Sequence, residues 1–369
     1  MQRRVNWLSL FLICLTAFST GIPIALGGEG FEEVQVAALP RQQFGYRVSL
    51  GDIVALNDGR LLATYGPDYL PHAKSEILGR YSSDLGKTWG EPFVLVHAPS
   101  LPVPPREKGY YVLPGLTRLA NGDVMLSYIY CSQIRPFYSA QTFYRRSIDD
   151  GKTWGDQLLL TPAEGSSLGN NDKLIQLKSG RLILPTETEH DESGSDHSGY
   201  ISRVFYSDDN GYSWRKSRTD VNMLPIDTQE PHVVELKDGR LMMLMRTYSK
   251  LLARSYSQDQ GNTWSKGELI PTLPISPNSS AINVQRIPKT GDLILLRTTG
   301  GTDNRTPFVS TISRDDGETW SHERVIAGDP EDDYGYPSLT FVGDLALVFY
   351  HKRDGLYVAR IESDWFYGN

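Results

Sequence analysis

The stretch QEPHVVELKDGRLMMLMR sets a carboxylate, Glu230, at the opening of one extended run and a guanidinium, Arg246, at the close of the next. Between them Asp238-Gly239 is a hairpin turn signal, so the two ends fold back towards one another. Such a pair serves either as a structural ion pair or as half of a site, because a planar, permanently charged guanidinium grips an acid through two parallel hydrogen bonds. Two further residues belong in the same account. Arg305 precedes PFVSTISRDDGETW, and Tyr336 lies in YGYPSLTFVGD, with Tyr334 two residues ahead of it. The plain alternative for Tyr336 is an aromatic side chain that lines a channel.

Metal chemistry has less support. Glu189, His190, Asp191, Glu192, Asp196 and His197 gather the right atoms, yet they sit in a polar Gly/Ser-rich stretch with no rigid ligand spacing. That stretch, 189–199, is expected to be a long loop. No metal and no organic cofactor are expected.

The elements that must position these residues come from a repeat. SSDLGKTW (82–89), SIDDGKTW (147–154), SDDNGYSW (207–214), SQDQGNTW (257–264) and SRDDGETW (313–320) all fit S-x-D-x-G-x-[ST]-W. In each, the Asp bonds its own backbone, the Gly accepts positive φ, and the Trp is free to pack between neighbouring sheets. A calcium loop would need further acidic ligands that these segments lack. A strand-turn-strand unit precedes every box: 53–65, 116–128, 174–185, 233–245 and 284–296. A sixth unit, LTFVGDLALVFYH (339–351), is followed by LYVARI but by no box, so an N-terminal strand near Val34–Leu39 is expected to complete it. The expected fold is therefore all-β, a six-bladed β-propeller with five Asp-box hairpins, whose closure into a ring removes exposed sheet edges. Asn171 and Asp172 open the third blade's inner strand, where they either face the central cleft and meet a ligand's hydroxyls or cap a turn.

Composition agrees with this. With 34 Gly, 22 Pro and 39% apolar residues, the chain suits a packed core cut by many tight turns. Met1-Gln2-Arg3-Arg4 and the apolar run from Val5 to about Ala25 have the layout of a signal peptide, expected to span 1–27 and to leave one domain at 28–369. Asn6, Ser9, Thr16 and Pro23 weaken the alternative of a retained membrane anchor. An exported protein follows, secreted or periplasmic, with Cys131 as its one cysteine and hence no internal disulfide. The full chain carries 37 basic and 44 acidic residues, a net charge of −7 that argues against nucleic acid and anionic membranes as partners.

Five boxes of this form on a six-bladed pattern resemble the sialidase superfamily, and the resemblance covers essentially the whole mature chain. It implies a glycan substrate with a terminal acidic sugar, held by three arginines through its carboxylate. It also implies a tyrosine nucleophile, since a carboxylate nucleophile would be repelled by the substrate's own acid. On matched positions, Tyr336 is the nucleophile and Glu230 takes its proton, while Arg246 and Arg305 are the second and third arginines. Arg47, in Tyr46-Arg47-Val48, resembles the first, although Ser49 stands where the family has Pro; Arg41 is its substitute. The acid/base Asp belongs in GPDYLPHAKSE, where Asp68 is the candidate, with His72 and Glu76 nearby. The irregular Arg47 region leaves room for another acidic sugar, and a non-catalytic glycan-binding propeller would keep the boxes for folding alone.

Overall fold

The structure is a computed structural model and describes residues 28–40, 50–66, 76–97, 109–134, 137–161, 169, 171–191, 198–276, 281–300 and 305–368. The proposed signal segment lies outside the described residues.

Among the described residues, runs of Val, Ile, Leu and aromatic residues, cut by Gly-containing turns, form twenty-four strands in six four-stranded antiparallel sheets. β1 (Phe31–Ala38) leaves its successors and crosses to the last sheet. The first blade is β2 (Leu50–Ala55), β3 (Leu61–Gly66), β4 (Ile77–Ser82) and β5 (Phe93–Val96), and the second is β6 (Gly109–Arg118), β7 (Val124–Ile134), β8 (Phe137–Ser147) and β9 (Leu158–Leu159). The third contains β10 (Ile175–Gln176), β11 (Leu182–Asp191), β12 (Ser198–Ser207) and β13 (Arg215–Lys216). The fourth contains β14 (Gln229–Glu235), β15 (Leu241–Arg246), β16 (Leu251–Ser257) and β17 (Glu268–Pro274). The fifth is β18 (Asn283–Arg286), β19 (Leu293–Thr298), β20 (Phe308–Ser313) and β21 (Ser321–Ala327), and the sixth is β22 (Gly335–Val342), β23 (Leu345–Lys352), β24 (Gly355–Glu362) and β1. β2 packs beside β6 and β22, and β18 beside β14 and β22, so the first strand of each sheet faces a common axis.

Closure uses the strand at the N-terminal end of the described residues. β1 runs antiparallel to β24 with Val34 opposite Val358 and Phe31 opposite Ile361, and buried Val36 joins Leu347, Phe349 and Val358 in the core between the last and first blades. Each pair of adjacent blades shares such an apolar layer; Val54, Leu56 and Leu62 of the first, for example, meet Leu116, Val124 and Leu126 of the second. Every fully buried Leu or Val here contributes about 1.5–3 kcal/mol.

The boxes join the third and fourth strands of five blades. In the first, Ser82 Oγ donates to Asp84 Oδ1 and accepts from the Gly86 N–H, both at 2.8 Å. The Thr88 N–H and hydroxyl donate to the two Asp84 carboxyl oxygens at 2.9 and 2.6 Å. The same set recurs at Asp149, Asp209, Asp259 and Asp315, with each box Gly at φ between +81° and +92°. The Trp packs against the preceding blade, as Trp154 does against the layer holding Val54 and Leu62. The ends of the stretch expected to be a loop, 189–191 and 198–199, are strand, and 192–197 lie outside the described residues. β11 and β12 pair as far as Asp191 opposite Ser198.

Three inner strands share one distortion. The pairing register slips between Val112 and Gly115, between Gln229 and His232, and between Gly335 and Ser338. In each bulge one residue adopts a left-handed backbone: Leu113 at φ +55°, Glu230 at +46° and Tyr336 at +51°. All three precede a proline. A bulge re-aims the side chain that it carries.

Candidate functional site

At the bulged end of the axis two of these residues meet. The Tyr336 hydroxyl donates a short hydrogen bond to Glu230 Oε1. Arg246 Nη1 donates to Glu230 Oε2 at 2.9 Å, so the carboxylate is held on both oxygens. Hairpin geometry explains the second contact, since Arg246 is the last residue of β15 and pairs with Gln229, next to Glu230. The Arg305 guanidinium lies 5.7 Å from the Tyr336 ring centroid. All four side chains are buried, Tyr336 at 1% exposure and the others at 5–8%. Tyr336 sits in a small apolar group with Leu50, Val112, Leu113, Ile129, Ala140 and Ala281, drawn from the first, second and sixth blades and the segment before β18.

Tyr334, the competing phenol, lies elsewhere. Its oxygen accepts the Asp329 N–H at 3.0 Å and its ring packs on Tyr350 in the layer between the fifth and sixth blades. Burial pushes its phenol up. Arg47, Arg41, Asp68 and His72 lie outside the described residues. Glu76 is described and sits 3.8 Å from His97.

Asn171 and Asp172 are engaged in joining blades, not in presenting free donors to a ligand. Both lie in a turn ahead of β10, Asn171 buried and Asp172 half-buried. The Asn171 amide donates to the carbonyls of Gly51 and Tyr336, each at 3.0 Å. Asp172 Oδ2 accepts from Asn283 Nδ2 at 2.5 Å, Gln285 Nε2 at 3.0 Å and the Leu339 N–H at 2.8 Å. Both side chains thus bridge blades across the axis. Burial lifts Asp172 to about 6 against the pull of those donors and of Lys173. Asp52, on β2, is raised well above the usual range by burial and then by the charge of Asp172.

Three charged residues went unnoticed in the sequence. Glu187, on β11, accepts the Glu230 backbone N–H at 2.7 Å. Lys173 is 2% exposed and its ammonium donates to the Ile282 carbonyl at 2.7 Å. Asp52 accepts the Leu116 N–H at 2.8 Å. A signal for the layer did exist: Leu113-Pro114, Glu230-Pro231 and Tyr336-Pro337 each precede an inner strand's apolar run.

A cavity of about 600 Å³ occupies the other end of the axis, among the inner-strand ends that carry Ala55, Arg118, Glu235 and Arg286. It reaches Asp172 but not Tyr336. Among the described residues no three His, Cys, Asp or Glu side chains gather to hold a metal ion. Chemically, a phenol in contact with a carboxylate has a proton acceptor in place, and a guanidinium lies beside each member of the pair.

Comparison with known proteins agrees on the fold. The chain is 26% identical to a sialidase of Micromonospora viridifaciens over 94% of its length and 56% of that protein's. It is 29% identical to a Clostridium perfringens sialidase over 58% of this chain and 59% of the other, so it spans little more than half the length of these relatives. The structure of a Hadza microbial sialidase superposes with a TM-score of 0.69 at 19% identity, over 86% of this chain and 66% of that one. The model of the BNR repeat-like domain matches residues 76–348, and the chain belongs to that family, within the sialidase superfamily.

Proposed function

We propose that this protein is an exported exo-glycosidase of sialidase type, which hydrolyses a terminal α-linked sialic acid or related acidic sugar from glycans. The observation that carries this reading is the Tyr336–Glu230 hydrogen bond with Arg246 on the second carboxylate oxygen. The sialidases among its relatives support the substrate class.

In the proposed reaction Arg246 and Arg305, with Arg47, bind the sugar's carboxylate. As the Tyr336 oxygen forms a bond to the anomeric carbon, its proton passes to Glu230. The glycosidic C–O bond breaks, and Asp68 gives the departing oxygen a proton. Water, deprotonated by Asp68, then displaces tyrosine, which recovers its proton from Glu230. Two displacements retain the anomeric configuration. A neutral phenol suits this task because the substrate's acid would repel a carboxylate in the same position.

The test is release of the aryl alcohol from a synthetic aryl α-sialoside by the purified protein, with Tyr336→Phe as the comparison. Loss of at least about a thousandfold in kcat is expected for the variant, in line with removal of other enzymic nucleophiles. An inactive wild type across acidic and neutral pH, or an undiminished variant, overturns the proposal.

A further inference from the structure

The third blade supplies no reacting group to the proposed mechanism, yet it takes hold of both members of the Tyr336–Glu230 pair. Glu187 Oε2 accepts the Glu230 N–H at 2.7 Å, and the Asn171 amide donates to the Tyr336 carbonyl at 3.0 Å. Both contacts are made to backbone, at the two bulges where the chain is left-handed.

On β14 the need for a partner outside the sheet follows from the register. Gln229 pairs with Arg246 and His232 with Leu244, so Glu230 and Pro231 together stand opposite Met245. Proline has no N–H to give, and the Glu230 N–H is given to the carboxylate of Glu187. That carboxylate is buried and comes from β11, which packs beside β14. A hydrogen bond to an ionised acceptor is roughly twice as strong as one between neutral groups. Left-handed backbone at a non-glycine residue is strained and persists only where its surroundings over-determine it. The direction of the Glu230 side chain depends on that backbone, because a bulge re-aims the residue that it carries. Arg246 and Tyr336 bind the far end of this side chain, at its two carboxyl oxygens, whereas Glu187 fixes the end attached to the chain.

We infer that Glu187 is a positioning residue for the Tyr336–Glu230 pair: its carboxylate locks the Glu230 bulge in the left-handed conformation that delivers the base to the phenol. The structural part of this inference stands without the function proposed above, and the kinetic part rests on it.

The test uses Glu187→Leu, which fills the space and offers no acceptor, and Glu187→Gln, which keeps an acceptor oxygen at the same reach; Glu187→Ala replaces the first variant if it does not fold. Crystal structures of the variants report the Glu230 φ and the Tyr336–Glu230 contact, and kcat and KM are measured on the aryl α-sialoside. In Glu187→Leu the Glu230 backbone is expected to leave the left-handed region and the phenol–carboxylate contact to open beyond hydrogen-bond reach. A misplacement of about 1 Å costs about a hundredfold, so kcat should fall by about that factor while KM changes by less than about threefold. Glu187→Gln should restore the contact and bring kcat to within about tenfold of wild type. An intact Tyr336–Glu230 contact in Glu187→Leu overturns the inference, as does a Glu187→Gln variant equally impaired. A rise in KM at unchanged kcat also overturns it, since Glu187 would then be a substrate contact. Failure of both acceptor-free variants to fold does the same, because Glu187 would then serve the fold as a whole. If the wild type proves inactive and the contact still opens in Glu187→Leu, the inference about Glu187 holds and the assignment of substrate falls.

Discussion

Replacing Asp172 by Asn removes one of two acids that the fold buries together. Burial carries Asp172 from 3.8 to about 6, and Asp52 is raised further with it, so the two titrate as a pair. The sign follows from linkage. A carboxyl raised in the folded state binds its proton more tightly there than in the unfolded chain. Its contribution is complete below pH 4 and is lost as pH rises through about 6. A displacement of about two units corresponds to about 3 kcal/mol, at about 1.4 kcal/mol per unit. Asn is a fair replacement because its amide oxygen can stand where Oδ2 accepts from Asn283, Gln285 and Leu339. Urea unfolding followed by tryptophan fluorescence, at pH 4.5 and 7.5 for both proteins, isolates the effect as a difference of differences. Wild type should lose about 2 kcal/mol more than Asp172→Asn between the two conditions, since part of the full contribution is already gone at pH 4.5. Equal pH dependence in the two proteins would refute the assignment of this loss to the axial pair.

The remaining predictions concern the boxes, the closure and the clamp. Hydrogen bonds from Ser213, first its hydroxyl and then its N–H, hold Asp209 down to about 2, so its contribution is present above pH 4 and lost as pH falls through 2. Asp209→Ala should lower stability at neutral pH by about 1–2 kcal/mol in urea titrations without altering kcat. Val36→Asp places a carboxyl in the layer between the last and first blades and should cost at least about 3 kcal/mol, whereas Gln35→Ala, exposed on the same strand, should change stability by less than about 0.5 kcal/mol. Arg305→Lys keeps the charge but gives up the planar fork, and should raise KM on the aryl sialoside about tenfold with a smaller change in kcat.

What could be seen in the sequence was local, and what could not was set by contacts distant in the chain. The boxes were legible because Ser82, Asp84, Gly86 and Thr88 satisfy one another within seven residues, and a pattern that short repeats visibly. The sixth blade was legible by subtraction, as a hairpin without a box, which left β1 to supply its outer strand. Glu230 and Arg246 were readable because one hairpin links them. Tyr336 stands 106 residues beyond Glu230, and only the ring brings them together. Lys173 and Glu187 had no such help. Their partners, Ile282 and the Glu230 N–H, belong to other blades, and no spacing along the chain announces them. At the ends of 189–199 the polar composition of a loop misled, since strand pairing continues out to Asp191 and Ser198.

The three bulges show why fold and chemistry separate so cleanly in this architecture. Leu113, Glu230 and Tyr336 occupy equivalent places on β6, β14 and β22, each left-handed and each before a proline. A non-glycine residue costs about 1–3 kcal/mol in such a conformation, so the distortion persists only where surrounding contacts enforce it. At Leu113 it places an apolar side chain against Tyr336; at Glu230 and Tyr336 the same backbone brings a carboxylate and a phenol into contact. The backbone device belongs to the propeller. Whether it performs chemistry depends on which side chains the bulges carry.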